Sequence, residues 1–243
     1  IMIYVALGLG LLFVVIGYII TERNADMLLN GYNTMSKEEK AQFPLKEYLV
    51  VFKQFHLRFG FLFALSGVGL AIINPDYVGY HAGITPILAY IYFFIQTKKF
   101  SQHLPSQTKG LKLGLAVLIA ALVFVIGMFY WSDRPSLVKL NDHTLKISGP
   151  YGIDLPLEKI DSLGILLTLP EINARRHGFS TGSVAKGRYK GPVGDYLLLI
   201  DKPFDKVLWI GRKSGDPVLI ALQELDEEKL LLELKESLEL NSP

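Results

Sequence analysis

The chain has 243 residues, of which 50% are hydrophobic and 20% are charged, with a formal net charge of +2 at pH 7. A soluble domain usually carries about 25% charged residues, and neither half of this chain is basic enough to predict a nucleic-acid partner. The absence of cysteine excludes disulfides, thiolate catalysis and Cys-ligated metal sites.

Four long apolar runs fill the first part of the chain. A helix needs about twenty apolar residues to cross a bilayer, because each residue adds about 1.5 Å. The runs therefore predict a transmembrane domain over residues 1–132 with four membrane-spanning helices. Their predicted bounds are residues 1–20, 57–75, 80–97 and 111–131.

The two outer runs are the cleaner ones. Residues 1–20 carry no charge, and they lack the basic start and the small-residue cleavage site of a signal peptide. We expect an uncleaved transmembrane helix there. The two inner runs are short for a full span, and Asn74-Pro75-Asp76 predicts a turn between them. They form either a complete hairpin crossing or a re-entrant, half-buried hairpin.

The segment 36–56, between the first two runs, has an amphipathic pattern. Ser36 with Glu39 three residues later is a capping box, which predicts that a helix begins there. Apolar residues from Phe43 to Phe52 fall on one side of the segment. We expect it to lie at the membrane surface, with an interruption at Pro44.

The positions of lysine and arginine predict the orientation. The loop between the first two runs and the loop near Lys98 and Lys99 are basic, whereas the short loop after residue 73 has no basic residue. The two basic loops are therefore predicted to be cytoplasmic. With four spans, the C-terminal domain would be extracytoplasmic; with three, it would be cytoplasmic.

The membrane half shows few signs of transport. We predict no Asp, Glu, Lys or His in the middle of any span, whereas transporters usually keep such groups for function. Gly110 and Gly114 form a GxxxG motif, and Gly8, Gly10 and Gly17 lie in the first span, so close helix packing is possible there.

Residues 133–243 change to a β-rich pattern. Alternating apolar residues and turn signals predict seven short strands, followed by one amphipathic helix over residues 226–240 with Asp226 as its N-cap. The predicted strands are residues 136–140, 143–148, 153–155, 159–169, 195–201, 206–212 and 218–223.

This layout resembles that of bacterial pleckstrin-homology-like domains, which close a partly open β-barrel with a C-terminal helix. The residues that carry the likeness are Leu145-Lys146-Ile147, Tyr151-Gly152, Leu155–Ile160, Leu169-Pro170 and the glycine-rich run His177–Tyr189, which includes Gly182. The resemblance implies a soluble domain of this fold over residues 136–240. It does not carry lipid binding with it, because the first hairpin loop, Asn141-Asp142, lacks a positive charge.

A second likeness concerns the membrane half. The segment Gly31–Lys40, with the sequence GYNTMSKEEK, resembles the signature of a family of uncharacterised bacterial membrane proteins. That resemblance implies a bacterial, multi-pass protein of the inner membrane and no particular activity.

The segment 171–195 is the candidate site. It combines five glycines with several cations, and guanidinium groups bind phosphate or carboxylate bidentately. An anion, an acidic lipid headgroup or an acidic partner would fit; the alternative is a long solvated loop between two strands. The candidate anion- or partner-binding residues are Arg175, Arg176, Lys186, Arg188 and Lys190.

No catalytic or metal-binding motif accompanies these residues. The five histidines, His56, His81, His103, His143 and His177, make no HExxH pair, and no GxSxG elbow occurs. We expect each histidine to be a surface or interfacial residue. The sequence therefore favours a protein that is not an enzyme and has no cofactor and no metal.

Three functions remain open. The first is a membrane-anchored interaction or scaffold subunit that presents its C-terminal domain at the membrane surface to a protein partner or a second copy. The second is a sensor that binds an anionic lipid or ligand through segment 171–195. The third is an accessory component of a transporter or channel.

Overall fold

The computed structural model describes residues 2–101, 104–181 and 183–240. The chain divides into two compact units, Ile1–Phe129 and Tyr130–Pro243, which are described separately. The first unit is helical, and the second is rich in β-strands and has a C-terminal helix. This division confirms the predicted fold class of a membrane helical region followed by a β domain.

Four helices are long and apolar enough to cross a membrane, which makes the protein membrane-associated. The first predicted span agrees with α1 to within one residue at each end, and α6 contains the last predicted span but begins six residues earlier. The inner helices are longer than predicted, because α4 begins twelve residues before residue 57 and α5 runs on to Ser101. The helices of this unit are α1 (Met2–Ile19), α2 (Ala25–Leu28), α3 (Lys37–Gln42), α4 (Leu45–Ile73), α5 (Tyr77–Ser101) and α6 (Pro105–Ser132).

The predicted amphipathic segment is split between two helices. Ser36 caps α3: its hydroxyl accepts a hydrogen bond from the Glu39 amide, and the Glu39 carboxylate accepts one from the Ser36 amide. Helix α3 ends before Pro44, which directly precedes α4. The predicted helix start at Ser36 and the predicted interruption at Pro44 are therefore confirmed, and the position of the segment at the membrane surface stays a prediction. Pro44 starts a new helix, because proline fits a helix start better than a helix interior.

Small residues let α1 and α4 pack backbone to backbone. A Cβ atom on Gly60 would lie 2.5 Å from the Gly10 carbonyl oxygen, and one on Gly67 would lie 2.6 Å from the Ala6 Cβ. Gly17 touches Lys53 and His56, so the two helices are antiparallel. This glycine seam (Ala6, Gly10 and Gly17 against Gly60 and Gly67) gives close dispersion contacts that larger side chains would prevent.

The other predicted glycine motifs contribute less. A Cβ atom on Gly8 or Gly110 would meet nothing within 4 Å, whereas one on Gly114 would lie 2.9 Å from the Phe94 ring. The GxxxG motif thus has one glycine in contact with α5 and one without a close neighbour in the described residues. Close packing is confirmed for Gly10 and Gly17 of α1.

Aromatic rings join α4 to α5. Phe55 lies 4.6 Å from Phe93, and Phe52 lies 5.8 Å from the same ring, centroid to centroid. Tyr48 meets Phe100 at 5.7 Å, near the end of α5. These pairs follow the antiparallel course of the two helices, and edge-to-face ring contacts stabilise it.

The second unit contains two β-sheets. A three-stranded antiparallel sheet has the order β1-β2-β3, and a six-stranded sheet has the order β4-β8-β9-β7-β6-β5. The strands are β1 (Leu137–Asn141), β2 (Thr144–Ser148), β3 (Ile153–Pro156), β4 (Ile160–Leu166), β5 (Ala174–Thr181), β6 (Val184–Lys190), β7 (Asp195–Ile200), β8 (Val207–Arg212) and β9 (Val218–Ala221).

All seven predicted strands are present, but the described residues contain nine. The two additional strands, β5 and β6, occupy the segment predicted as a glycine-rich site. The strands β7 and β9 are parallel, unlike the other pairs. The resemblance of this domain to pleckstrin-homology-like domains stays a prediction.

Apolar side chains fill both faces of the central strands. Leu197 and Leu199 of β7 belong to the core that the small sheet and the C-terminal helix share, whereas Leu198 and Ile200 belong to a second core on the opposite face. The connection from β4 to β5 joins opposite edges of the large sheet, and Leu169 and Ile172 in it pack on the second core.

The C-terminal helix, α7 (Glu227–Leu240), agrees with the prediction. The Asp226 carboxylate accepts hydrogen bonds from the amides of Glu228 and Lys229, at 3.1 and 3.0 Å. Leu230 and Leu234 are buried in the first core, and Leu231 and Leu238 pack against it. An amphipathic stripe of leucines thus docks the helix on the sheets.

Candidate functional site

The basic segment forms a β-hairpin. Strands β5 and β6 pair antiparallel, from Ala174 opposite Lys190 to Thr181 opposite Val184. Gly182, which the sequence analysis included in the glycine-rich run, lies outside the described residues. The expectation of a long loop is wrong, because most of the segment is regular strand.

Lys186 does not belong to the predicted anion site. Its side chain is fully buried, and its ammonium lies 2.9 Å from the Asp201 carboxylate. The same ammonium donates a hydrogen bond of 2.8 Å to the Arg134 carbonyl oxygen. A cation with these partners is already neutralised and is not available to an external anion.

Two of the arginines have carboxylate neighbours. The Arg176 Nε lies 3.4 Å from Asp195, and the Arg188 guanidinium lies 3.5 Å from Asp216. Both arginine side chains are more than half exposed, so water weakens these ion pairs. The two guanidinium groups are accessible, but each has an acidic neighbour that would compete with a bound anion.

The five predicted residues do not converge on one face. Arg175 is opposite Tyr189 in the ladder, whereas Arg188 and Lys190 alternate with Tyr189 along β6. Side chains alternate between the two faces of a strand, so Arg175 points to one face while Arg188 and Lys190 point to the other. Arg176 lies at a register shift between Arg175 and His177.

The glycines have a structural reason of their own. Gly178 and Gly187 face each other across the hairpin, with φ angles of +136° and +130°. A Cβ atom on either residue would collide with backbone of the opposite strand. Glycine is needed there for both the backbone conformation and the close approach. The hairpin itself therefore explains two of the five glycines that suggested a ligand-binding loop.

Tyr189 stabilises the same hairpin. Its ring is buried, and its hydroxyl donates a hydrogen bond of 2.7 Å to the Phe179 carbonyl oxygen. Burial raises the pKa of the Tyr189 hydroxyl above its ordinary value, although the nearby Arg175 guanidinium acts in the opposite direction. The tyrosine therefore keeps its proton and its hydrogen bond at neutral pH.

Strand β5 is at the edge of the large sheet, and within the described residues it pairs only with β6. Charged side chains and β-bulges on an edge strand oppose pairing with a foreign strand. Arg175, Arg176 and the register shift beside them are devices of this kind. They offer an explanation of the basic composition that needs no ligand.

A buried polar cluster, which the sequence analysis missed, lies where the β unit begins. Asp201 accepts a hydrogen bond of 2.8 Å from the Ser136 amide and pairs with Lys186, which holds the Arg134 carbonyl. Lys186 and Asp201 thus fix the segment 134–136, directly before β1. We call these four residues the junction clamp. The one available signal was a lysine between two small residues, Ala185 and Gly187.

Two histidines lie inside the helical unit. His56 is fully buried; its ring Nδ1 is hydrogen-bonded to the Phe52 carbonyl oxygen at 2.8 Å, and its Nε2 is hydrogen-bonded to the Tyr90 hydroxyl at 3.0 Å. His81 contacts the hydroxyls of Ser66 and Thr85 at 3.2 and 2.8 Å. The expectation of a surface position is wrong for His56. The helix that contains it starts at Leu45, so the residue lies within α4 and is enclosed by contacts with α1 and α5.

His143 and His177 are exposed, and His103 lies outside the described residues. In the described part of the chain, no group of three or more His, Cys, Asp or Glu side chains is placed to hold a metal ion. The polar groups that the fold does bring together are ion pairs and hydrogen bonds that stabilise packing.

One comparison with known proteins gives a match. Residues 7–101 match the model of a family described as a domain of unknown function, DUF3784. The match covers α1 to α5, which is less than half of the chain, and includes the segment Gly31–Lys40. No curated protein and no solved structure matches the chain. The N-terminal region is thus similar to an uncharacterised family, and the β unit has no match in these comparisons.

Proposed function

We propose that the protein is a membrane-anchored, non-enzymatic interaction subunit of the bacterial inner membrane. Its helices hold a β domain, which we take to be pleckstrin-homology-like, at the extracytoplasmic surface. There the domain contacts a protein partner or a second copy of this chain.

The observation that carries the proposal is the junction clamp. Only residues 133–136 separate the end of α6 from the start of β1, and a chain of four residues reaches at most about 14 Å. Lys186 and Asp201 fix the second half of that connection to the core of the β domain. A connection of four residues is not a long flexible tether, which supports a domain that its last membrane helix presents directly.

The sensor function through segment 171–195 is the weaker alternative. Arg175, Arg176, Arg188 and Lys190 remain available to an anion, but Lys186 does not. If the hairpin binds anionic lipid, an Arg175→Ala, Arg176→Ala, Arg188→Ala variant of the full chain should bind anionic liposomes more weakly than the wild type. Equal binding would exclude this function.

A role as an accessory component of a transporter or channel is the third candidate. The position of α4 brings His56 into a membrane-spanning helix, although the predicted span began only at residue 57; Arg58 already belonged to that predicted span. Both ring nitrogens of His56, however, form hydrogen bonds within the helical unit. That observation supports packing more than conduction.

Copurification tests the interaction function. Two differently tagged full-length copies are expressed together, cross-linked in the membrane and extracted in mild detergent. We expect a stoichiometric second copy or one stoichiometric partner, and a chain truncated after Ser132 should lose it. A full-length chain that remains a lone monomer in all detergents and with all cross-linkers would contradict the proposal.

A further inference from the structure

A groove of about 860 Å³ runs between α4 and α5. Cavities of roughly 300–1,000 Å³ are typical of sites for small molecules and cofactors. The groove lies beside the aromatic contacts that join the two helices, and most of its lining is apolar. In the described residues, Leu62, Leu65 and Leu88 are about half exposed or more, so the groove offers apolar surface that the helical unit itself leaves uncovered.

The polarity of the groove changes along its length. Gln54 of α4 and Gln96 of α5 line one end, and Arg58 follows about one turn further in. Leu88 of α5 lies level with Arg58, since the next turn of each helix pairs Tyr90 with His56. Leu62 and Leu65 line the other end, where Ser66 and Thr85 are the polar neighbours. The antiparallel course of α4 and α5 brings the polar residues together. A cationic, hydrogen-bonding end that continues into an apolar channel is complementary to an amphiphile with a negatively charged headgroup.

The packing of α1 on α4 indicates the depth of Arg58. Gly60 of α4 contacts Val14 of α1, and His56 contacts Gly17. Arg58 therefore lies at the level of residues 14–17, about 3 to 8 Å from the Ile19 end of α1. Because α1 is uncharged along its whole length, this level is within the apolar layer but close to its edge. A long arginine side chain can reach lipid phosphates from there.

Arg58 has no counter-charge of its own in the described part of the chain. None of the ion pairs there includes it, and its side chain is exposed to the groove. Lys53, one turn earlier, instead lies 4.1 Å from the centre of the Tyr18 ring. A guanidinium at the edge of the apolar layer is costly unless an anion accompanies it.

We propose that the groove between α4 and α5 binds one anionic phospholipid, with its phosphate against Arg58 and an acyl chain along Leu62, Leu65 and Leu88. Gln54 and Gln96 are placed at the headgroup end. The lipid would come from the leaflet that faces the loop between α1 and α4, which the lysine pattern predicts to be the cytoplasmic leaflet. This site is independent of the β domain and of its partner.

Native mass spectrometry of the full-length protein in mild detergent tests the proposal, with phosphatidylglycerol and phosphatidylcholine as probes. The wild type should bind one phosphatidylglycerol in preference to phosphatidylcholine. Arg58→Gln should weaken phosphatidylglycerol binding about tenfold, because a charge-assisted contact is lost. Arg58→Lys should retain most of the binding. Lys46→Gln is the matched control: it removes one positive charge from the same helix outside the groove and should bind as the wild type does.

A second variant tests the groove itself without changing the charge of Arg58. Ala89→Trp places an indole in the groove and should weaken the binding of both lipids while Arg58 is retained. The proposal would be overturned by a wild type that shows no preference for phosphatidylglycerol, or by Arg58→Gln or Ala89→Trp binding it as the wild type does. Efficient disulfide formation between two Leu62→Cys copies in native membranes would also overturn it, because a second copy would then cover the groove.

Discussion

Lys186 and Asp201 are the residues whose loss should be most costly to the β domain. Both side chains are buried, and each also holds backbone of the segment before β1. Removing one partner of a buried ion pair leaves an uncompensated charge away from water, which costs about 3–5 kcal/mol.

We therefore expect Lys186→Ala to lower the free energy of unfolding of the β domain by about 3–5 kcal/mol. Denaturant unfolding of the full chain, followed by tryptophan fluorescence, measures this loss. The double variant Lys186→Met, Asp201→Leu is the control and should recover most of it, because no charge is then left unpaired. Full stability of Lys186→Ala would show that the clamp does not contribute.

Gly187 should tolerate no side chain. Its φ angle of +130° is unfavourable for L-residues, and its neighbour across the hairpin is the backbone of Gly178. We expect Gly187→Ala to destabilise the β domain by at least about 2 kcal/mol. The same unfolding experiment on Gly164→Ala provides the comparison, since a Cβ atom in that strand meets nothing within 4 Å. Similar effects of the two substitutions would contradict the proposed role of the close approach.

At the scale of elements, the glycine seam is the tightest helix–helix contact in the membrane unit. The lack of side chains on Gly60 and Gly67 lets α4 approach α1 at backbone distance. In a bilayer, the hydrophobic effect does not drive helices together, because lipid is as apolar as the helices. Close packing of this kind instead stabilises their association through van der Waals contacts.

Gly60→Leu should separate α1 from α4, because even its Cβ atom would lie 2.8 Å from a Val14 methyl group. We expect a loss of about 1–3 kcal/mol, seen as a lower melting temperature of the full chain in detergent. Gly69→Leu changes the same helix at a position where a Cβ atom has no neighbour within 4 Å and should leave the melting temperature nearly unchanged. A melting temperature for Gly60→Leu equal to that of Gly69→Leu would remove the support for the seam.

The sequence predicted elements well where one local signal dominated. The hydrophobicity of α1 and α6, the capping box at Ser36 and the N-cap at Asp226 are signals of this kind, and each agrees with the structure. The start of α4 was missed, because polar residues such as Lys53 and Gln54 interrupt the apolar run that was used to find the span. Residues 53 and 54 are nevertheless helical, because their neighbours Phe52 and Phe55 pack on α5.

The candidate site was harder to predict, because its residues are ordered by long-range pairing. Five cations in one segment suggested a common patch, but strand alternation and the β5–β6 register separate Arg175 from Arg188. Lys186 has a partner fifteen positions away, Asp201, which local sequence does not reveal. The residues of the groove, Arg58 among them, belong to two helices whose facing sides only the packing determines.

At the scale of the whole molecule, the proposed function requires four membrane crossings and an extracytoplasmic β domain. Helix lengths and composition permit four spans, and the lysine pattern predicts the orientation. The loop around Lys37 should then be cytoplasmic, whereas Asp76 and the β domain should be outside. The proposed interaction function depends on this arrangement, because the partner must be reachable from that side.

Cysteine accessibility tests the arrangement directly, since the natural chain has no cysteine. Single variants Lys37→Cys, Asp76→Cys and Lys235→Cys of the full chain are treated with a membrane-impermeant maleimide in intact and in permeabilised cells. We expect Asp76→Cys and Lys235→Cys to react in intact cells and Lys37→Cys to react only after permeabilisation. Labelling of Lys235→Cys on the same side as Lys37→Cys would contradict the four-span model and the extracytoplasmic domain.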